Sequence, residues 1–462
     1  MVIDTNLVSR FQFAFTISFH ILFPAFSIGL AIFIAAMEAI WLKTRKPIYL
    51  KICKFWTKVF ALTFGMGVVS GIVMAFQLGT NWAGFSNKVG DVLGVLFTYE
   101  VMTAFFIEAG FLGVMLFGWE RVGPKLHFLA TLLVVIGTTL SAYWILSANS
   151  WMQHPIGFID SGSIFLPESW KEIIFNPATF PRFLHMILAA YISAAFVISS
   201  VSALYLLKAR HQEFARICFS FVWLSLIVLV PLQIFFGDRV GVMVHDMQPI
   251  KTASMEGVWN TQAGAPYLIF AIPDQKQQKN YLEIPIPHFG SLLNTHSWNG
   301  VLTGLKTVSP ADQPPVAIVF YSFRVMVYLG FFMLLLVLSS LWLRYKKQLY
   351  HTTWFLYACL FSAPIGFIAL WCGWITAEEG RQPWVVYNLL RTANAVSNVT
   401  LHNVIISFAL IFVVYGIIFG FFYFYFLHHF LHQGPEEATQ KPTEKQPFQY
   451  MAAPISKNEF NK

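Results

Sequence analysis

His20, His185, Met326 and Glu378 are residue types that bind transition-metal ions, and each lies in or beside a long apolar stretch where polar groups are scarce. Counted from the less basic end of its stretch at ~1.5 Å per residue, His20 is ~9 residues deep, His185 just inside, Met326 ~10 residues deep and Glu378 just past the end. An imidazole and a thioether offered from two helices, as by His185 and Met326, suit a six-coordinate, low-spin electron-transfer haem. Taken singly, a His in a membrane helix is ordinarily a packed, hydrogen-bonded residue and a Met is plain packing. Their shared depth joins them into one candidate site.

Glu100 and Glu108 stand eight residues apart, ~12 Å along one helix, with Tyr99 beside the first. Carboxyls inside a membrane can relay protons, or they can pair with groups on neighbouring helices for packing alone. The cost of placing an ionisable group in hydrocarbon favours the relay. Glu38, near the more basic end of the first stretch, is expected to snorkel to water. Lys251 and Glu256 sit in a polar loop and read, by residue type alone, as solvated charges.

The elements that must position these residues are membrane helices. The composition is 57% hydrophobic, 17% aromatic and 11% charged, where a soluble domain carries about 25% charged residues. Nine stretches approach the ~20 residues needed to cross a bilayer: 11–42, 55–78, 94–119, 127–150, 183–207, 217–236, 316–343, 352–375 and 399–432. Fourteen Lys and Arg follow the first, third, fifth and seventh stretches, against six in the opposite short segments, among them Arg182 and Arg381. The N-terminus is therefore expected outside and the C-terminus in the cytoplasm. The first stretch, with no basic leader or cleavage site before it, reads as an uncleaved anchor.

Four units follow: helices 1–6 over 1–236, an outer loop over 237–315, helices 7–9 over 316–432, and a polar, flexible cytoplasmic tail over 433–462. The net charge of +8 sits in short clusters between apolar runs, which argues for topology signals and against nucleic-acid binding. Cys53, Cys218, Cys359 and Cys372 lack metal or redox spacing and read as core packing.

The run from Gly373 through Glu378, Arg381, Gln382 and Pro383 to Trp384 resembles the G-R-Q-P-W signature of cytochrome bd-type quinol oxidase subunit I. Arg10-Phe11-Gln12-Phe13 leading to His20, Thr98-Tyr99-Glu100 with Glu108, Ser141 through Gln153, and Phe323-Arg324-Val325-Met326 agree in order. The resemblance covers almost the whole chain. It implies low-spin haem b on His185 and Met326, high-spin haem b on Glu378, and haem d, or a b-type haem in its place, on His20. It further implies Glu100 beside the oxygen-reducing haem, Glu108 on its proton path, Trp374 as an electron conduit between haems, and Arg381 offsetting propionate or carboxylate charge. Gln248 through Gly257 is similar to the family's quinol-oxidising segment, which implies that Lys251 and Glu256 touch ubiquinol or menaquinol. The loop is short, like that of the branch that includes cyanide-insensitive oxidases.

The implied protein is a terminal respiratory oxidase of the bacterial cytoplasmic (inner) membrane that builds membrane potential without pumping. A subunit II is its implied partner, and the resemblance leaves room for a small single-helix subunit. The rival readings are a cytochrome b-type electron-transfer anchor without oxygen chemistry, and a membrane transporter using Glu100 and Glu108.

Overall fold

The computed structural model describes residues 4–435. Eight of its helices are long and apolar enough to cross a membrane, and a bent pair makes a ninth crossing. They are α1 (Thr5–Thr44), α2 (Pro47–Thr80), α3 (Ala83–Phe117), α4 (Pro124–Gln153), α5 (Thr179–Leu207) and α6 (Gln212–Met247). After the short α7 (Pro249–Glu256) come α8 (Val316–Tyr345), the pair α9 (Thr353–Phe361) and α10 (Ile365–Glu379), and α11 (Leu401–Gln433). The all-α membrane bundle with nine crossings is thus as expected. The expected tail lies outside the described residues from 436 onward.

Local sequence sets where helices start and break. Asp4 caps α1 by accepting from Leu7 N at 2.8 Å, and Pro47 and Pro124 open α2 and α4, where a missing N–H costs nothing. Pro364 stands at the 41° bend between α9 and α10. In α3, π-helical turns at Gly90–Gly94 and Val101–Phe105 interrupt the α-helix.

Helix α5 is the central post. Its apolar stretch is 78% buried, against 17% for those of α3 and α11, which leaves those two at the margin of the bundle. Small residues let other helices close on it. A Cβ on Gly29 of α1 would stand 2.5 Å from both the Ala190 carbonyl oxygen and the Ala194 Cβ, so only glycine permits this crossing.

The segment 237–315 is a folded cap. Helix α6 runs past the expected end at 236 to Met247, and α7 follows with Lys251 and Glu256 both buried. Strands Tyr267–Asp274 and Lys279–Ile286 form an antiparallel hairpin that packs on α8. All four cysteines are free, three of them buried and Cys372 half-buried.

Candidate functional site

The ring of His185 on α5 rests against Gly237 of α6, where a Cβ would lie 3.1 Å from Cε1. Its Nε2 is 3.3 Å from the Gln233 amide nitrogen, and its Nδ1 is buried without a partner. Met326 on α8 turns its sulfur to Gly373 of α10, where a Cβ would be 3.0 Å away. His20 on α1 shares a 3.0 Å hydrogen bond through Nδ1 with Ser70 Oγ, an arrangement that leaves Nε2 outside that bond. Trp374 lies in a small apolar cluster with Ile21, next to His20 in sequence, and with Met186 and Ile187, next to His185. The neighbourhoods of His20 and His185 therefore share one apolar cluster with this indole.

Glu378 stands in the last turn of α10, half-buried in a polar cluster. Its Oε1 accepts from Asn149 Nδ2 at 3.0 Å and Gln153 Nε2 at 3.1 Å, and its Oε2 accepts from Arg381. Arg182 donates to Asn149 Oδ1 at 2.5 Å and to Ser150 Oγ at 3.2 Å, and Lys251 donates to Gln153 Oε1 at 2.6 Å. Three basic groups thus share one carboxylate, and Arg381 Nε and Nη1 are buried with no partner. Burial, then the charge of Arg381, pulls the Lys251 ammonium well below its ordinary pKa.

A buried surplus of positive charge with orphaned N–H groups calls for an anion. Porphyrin propionates are such anions, and guanidinium binds carboxylates in a fork. The residues present therefore fit haem: carboxylate-binding cations at one end of the bundle, with single imidazole, thioether and carboxylate donors on the helices beside them. Among the described residues no group of three or more His, Cys, Asp or Glu is placed to hold a metal ion.

Lys251 also lines a cavity of about 210 Å³ shared with Arg381, Gln382, Trp384, Tyr387 and Asp312. Glu256 faces elsewhere. Its Oε2 accepts from Arg324 at 2.8 Å and its Oε1 from Asn294 at 3.1 Å. Five helical residues separate the two by roughly 140° of rotation, which puts them on different faces of α7.

Glu100 and Glu108 both face α4. Ser141 donates to Glu100 Oε1 at 2.6 Å, while a Cβ on Gly137 would press on the Glu108 Cγ at 2.6 Å. Eight residues of regular α-helix would turn them roughly 80° apart, but the π-helical turn at Val101–Phe105 absorbs one residue and brings them to within about 20°.

Several residues had no role on sequence alone. Arg182, counted there only as a topology charge, belongs to the cluster around Glu378, and Arg324 is the buried partner of Glu256. Lys251 and Glu256 are 4% and 1% exposed, not solvated as residue type alone suggests, because the loop folds over them. Glu38 does not snorkel: it is 0% exposed and bonded to His127 and Thr131. Its side chain points across the bundle toward α4 rather than along α1 to water. The one sequence signal for these groups was charge or amide beside an apolar run.

The family described as "Cytochrome bd terminal oxidase subunit I" matches residues 8–435. The chain belongs to this family. It is 38% identical over 427 residues to the cytochrome bd ubiquinol oxidase subunit 1 of Bacillus subtilis (strain 168), covering 88% of this chain and 90% of that one. It is 34% identical over 481 residues to the cytochrome bd-II ubiquinol oxidase subunit 1 of Escherichia coli (strain K12), covering 89% and 93%. The solved bd oxidase from Geobacillus thermodenitrificans superposes with a TM-score of 0.87 at 28% identity, over 94% of this chain and 99% of that one. As a family member, the chain is a haem-bearing, multi-pass subunit of a terminal respiratory oxidase in the inner membrane.

Proposed function

We propose that this subunit oxidises ubiquinol or menaquinol at its less basic, outer end and passes the electrons through three haems to oxygen, which becomes water. The cluster of buried Arg381 and Lys251 with half-buried Arg182 around Glu378, with two unpaired guanidinium nitrogens on Arg381, is the observation that carries it.

The quinol head group takes the cavity bordered by Lys251, Trp384 and Tyr387. Lys251 favours the developing quinol anion, while Glu256, held by Arg324 and Asn294 on the other face of α7, does not border this cavity and acts on the head group only through the cap it holds in place. His185 and Met326 hold low-spin haem b, Glu378 holds high-spin haem b, and His20 holds haem d or a b-type haem in its place. Bound haems would supply one-electron transfer and the chemistry of oxygen reduction there. Trp374 bridges the ligand neighbourhoods, Arg381 binds propionate, and Glu108 hands protons to Glu100. Residues 1–236 and 316–432 supply the haem and proton-path groups and 237–315 the quinol cap. A subunit II, with or without a small single-helix subunit, completes the enzyme.

Protons from the cytoplasmic side meet electrons near the outer face, so turnover builds membrane potential without pumping. The purified oxidase tests this reading. A pyridine haemochrome spectrum should show haem, the reduced protein should bind carbon monoxide, and quinol oxidation in liposomes should generate potential. Haem without carbon monoxide binding would leave only an electron-transfer cytochrome, and turnover without potential would sink the coupling.

A further inference from the structure

At the opposite, more basic end of the bundle, Glu38 of α1 and His127 and Thr131 of α4 form a second buried polar group, with 0%, 1% and 0% exposure. Glu38 Oε1 is 2.6 Å from His127 Nδ1, and Thr131 Oγ1 donates to Glu38 Oε2 at 2.7 Å. His127 Nε2 is 3.2 Å from the Met115 carbonyl oxygen of α3. A carbonyl only accepts, so Nε2 carries a hydrogen and one proton is shared between Nδ1 and Oε1. The Trp119 ring covers the imidazole, with centroids 3.7 Å apart.

Helix α4 links this pair to the acidic groups of α3. His127, Thr131, Thr138 and Ser141 recur at helical spacing on one face. The same face presents Gly137 to Glu108 and Ser141 to Glu100. Glu108 Oε1 is buried without a partner, an acceptor open to a donor arriving from below. Gly137 is six residues beyond Thr131, ~9 Å of helix rise, a distance that a proton would cross by way of water.

We infer that Glu38 and His127 hold a proton drawn from the more basic side and release it along α4 to Glu108. In one cycle the pair gives up the proton shared by Nδ1 and Oε1, leaving a Glu38 carboxylate and a neutral His127. It then regains a proton from the aqueous side, and no electron moves. Glu108 takes the released proton as it passes its own toward Glu100. A mere clasp of three helices does not require an ionisable pair, because apolar residues of like volume fill such a place at little cost. Cys53 of α2 is the titratable neighbour facing Glu38, and the Lys54–Glu120 pair, 3.7 Å apart, lies outside the buried shell. The inference rests on the oxidase reading, since oxygen reduction is what consumes the protons.

The test uses the intact oxidase with its partner subunits in liposomes, comparing Glu38→Gln, Glu38→Asp and His127→Gln with the unaltered enzyme. Readouts are quinol-driven oxygen uptake, KM for quinol, the haem spectrum, and proton uptake followed by a pH dye. E38Q and H127Q should keep the spectrum and KM while turnover and proton uptake fall about tenfold or more, and E38D should restore most of both. Unchanged turnover in assembled E38Q, or in H127Q if E38Q does not assemble, overturns the inference. So does equal loss in E38D and E38Q, or failure of all three to assemble, which would mark a structural clasp. An unaltered enzyme that consumes no oxygen would instead bring down the oxidase reading itself.

Discussion

Lys251 donates to the side-chain oxygen of Gln153 at 2.6 Å, while the nitrogen of the same amide donates to Glu378 at 3.1 Å. One glutamine thus joins the cap formed by 237–315 to the end of α10, because an amide accepts on one atom and donates on the other. A charged residue at 153 would have to drop one of the two partners.

Removing the ammonium should slow quinol oxidation without stripping haem. Hydrogen bonds to charged groups are worth ~1.5–3 kcal/mol, so Lys251→Ala is expected to lower kcat/KM for quinol by about 10- to 100-fold. Steady-state kinetics beside a haemochrome assay checks this. Loss of haem in the variant would show that the loop is structural.

Ligand variants should separate the haems. Met326→Leu keeps the packing volume against Gly373 and is expected to shift the low-spin spectrum while sparing the fold. His20→Ala should remove the oxygen-site haem's signal and abolish oxygen uptake. Unchanged visible spectra in both variants would refute the assignments.

The Glu256–Arg324 pair is 1% and 3% exposed, so deleting one partner strands the other's charge. Glu256→Ala or Arg324→Leu alone should destabilise the cap by ~3–5 kcal/mol, and the double variant should recover much of that loss. Thermal unfolding of the four proteins gives the cycle. Additive losses would mean that the pair is not coupled.

Asp312, at the edge of the cavity, pairs with Arg391 and accepts from Ser309 at 2.7 Å. The Ser309 hydroxyl, with help from Arg391, holds its carboxyl below the ordinary 3.8. A depressed folded-state pKa gives stability that is present above about 3.8 and lost as pH falls through the lower folded value. Asp312→Asn should therefore melt slightly lower than the unaltered protein at pH 7, by under about 2 °C for a half-exposed pair, and the difference should vanish in strong acid. A difference that grows on acidification would contradict the assignment.

Composition and apolar run length were sufficient for the membrane class and the nine crossings, because a bilayer leaves the backbone few ways to satisfy its hydrogen bonds. The interruption near Pro364 was not read, since the apolar run 352–375 continues through it. His20, His185, Met326 and Glu378 stood out because polar groups and soft donors are conspicuous against hydrocarbon. Arg182, Gln153 and Asn149 did not, since at the end of a span such residues look like ordinary interfacial groups.

The amino-acid sequence by itself determined the solvent, the helices, and the candidate donors at a common depth, since each follows from local hydropathy and spacing. Only the tertiary structure decided which charges are withdrawn from water and with whom they pair: Glu38 with His127, Glu256 with Arg324, and half-buried Glu378 among Arg182, Arg381 and Lys251. Burial and pairing depend on helices far apart in the chain closing over a side chain, and local sequence carries no record of that distance.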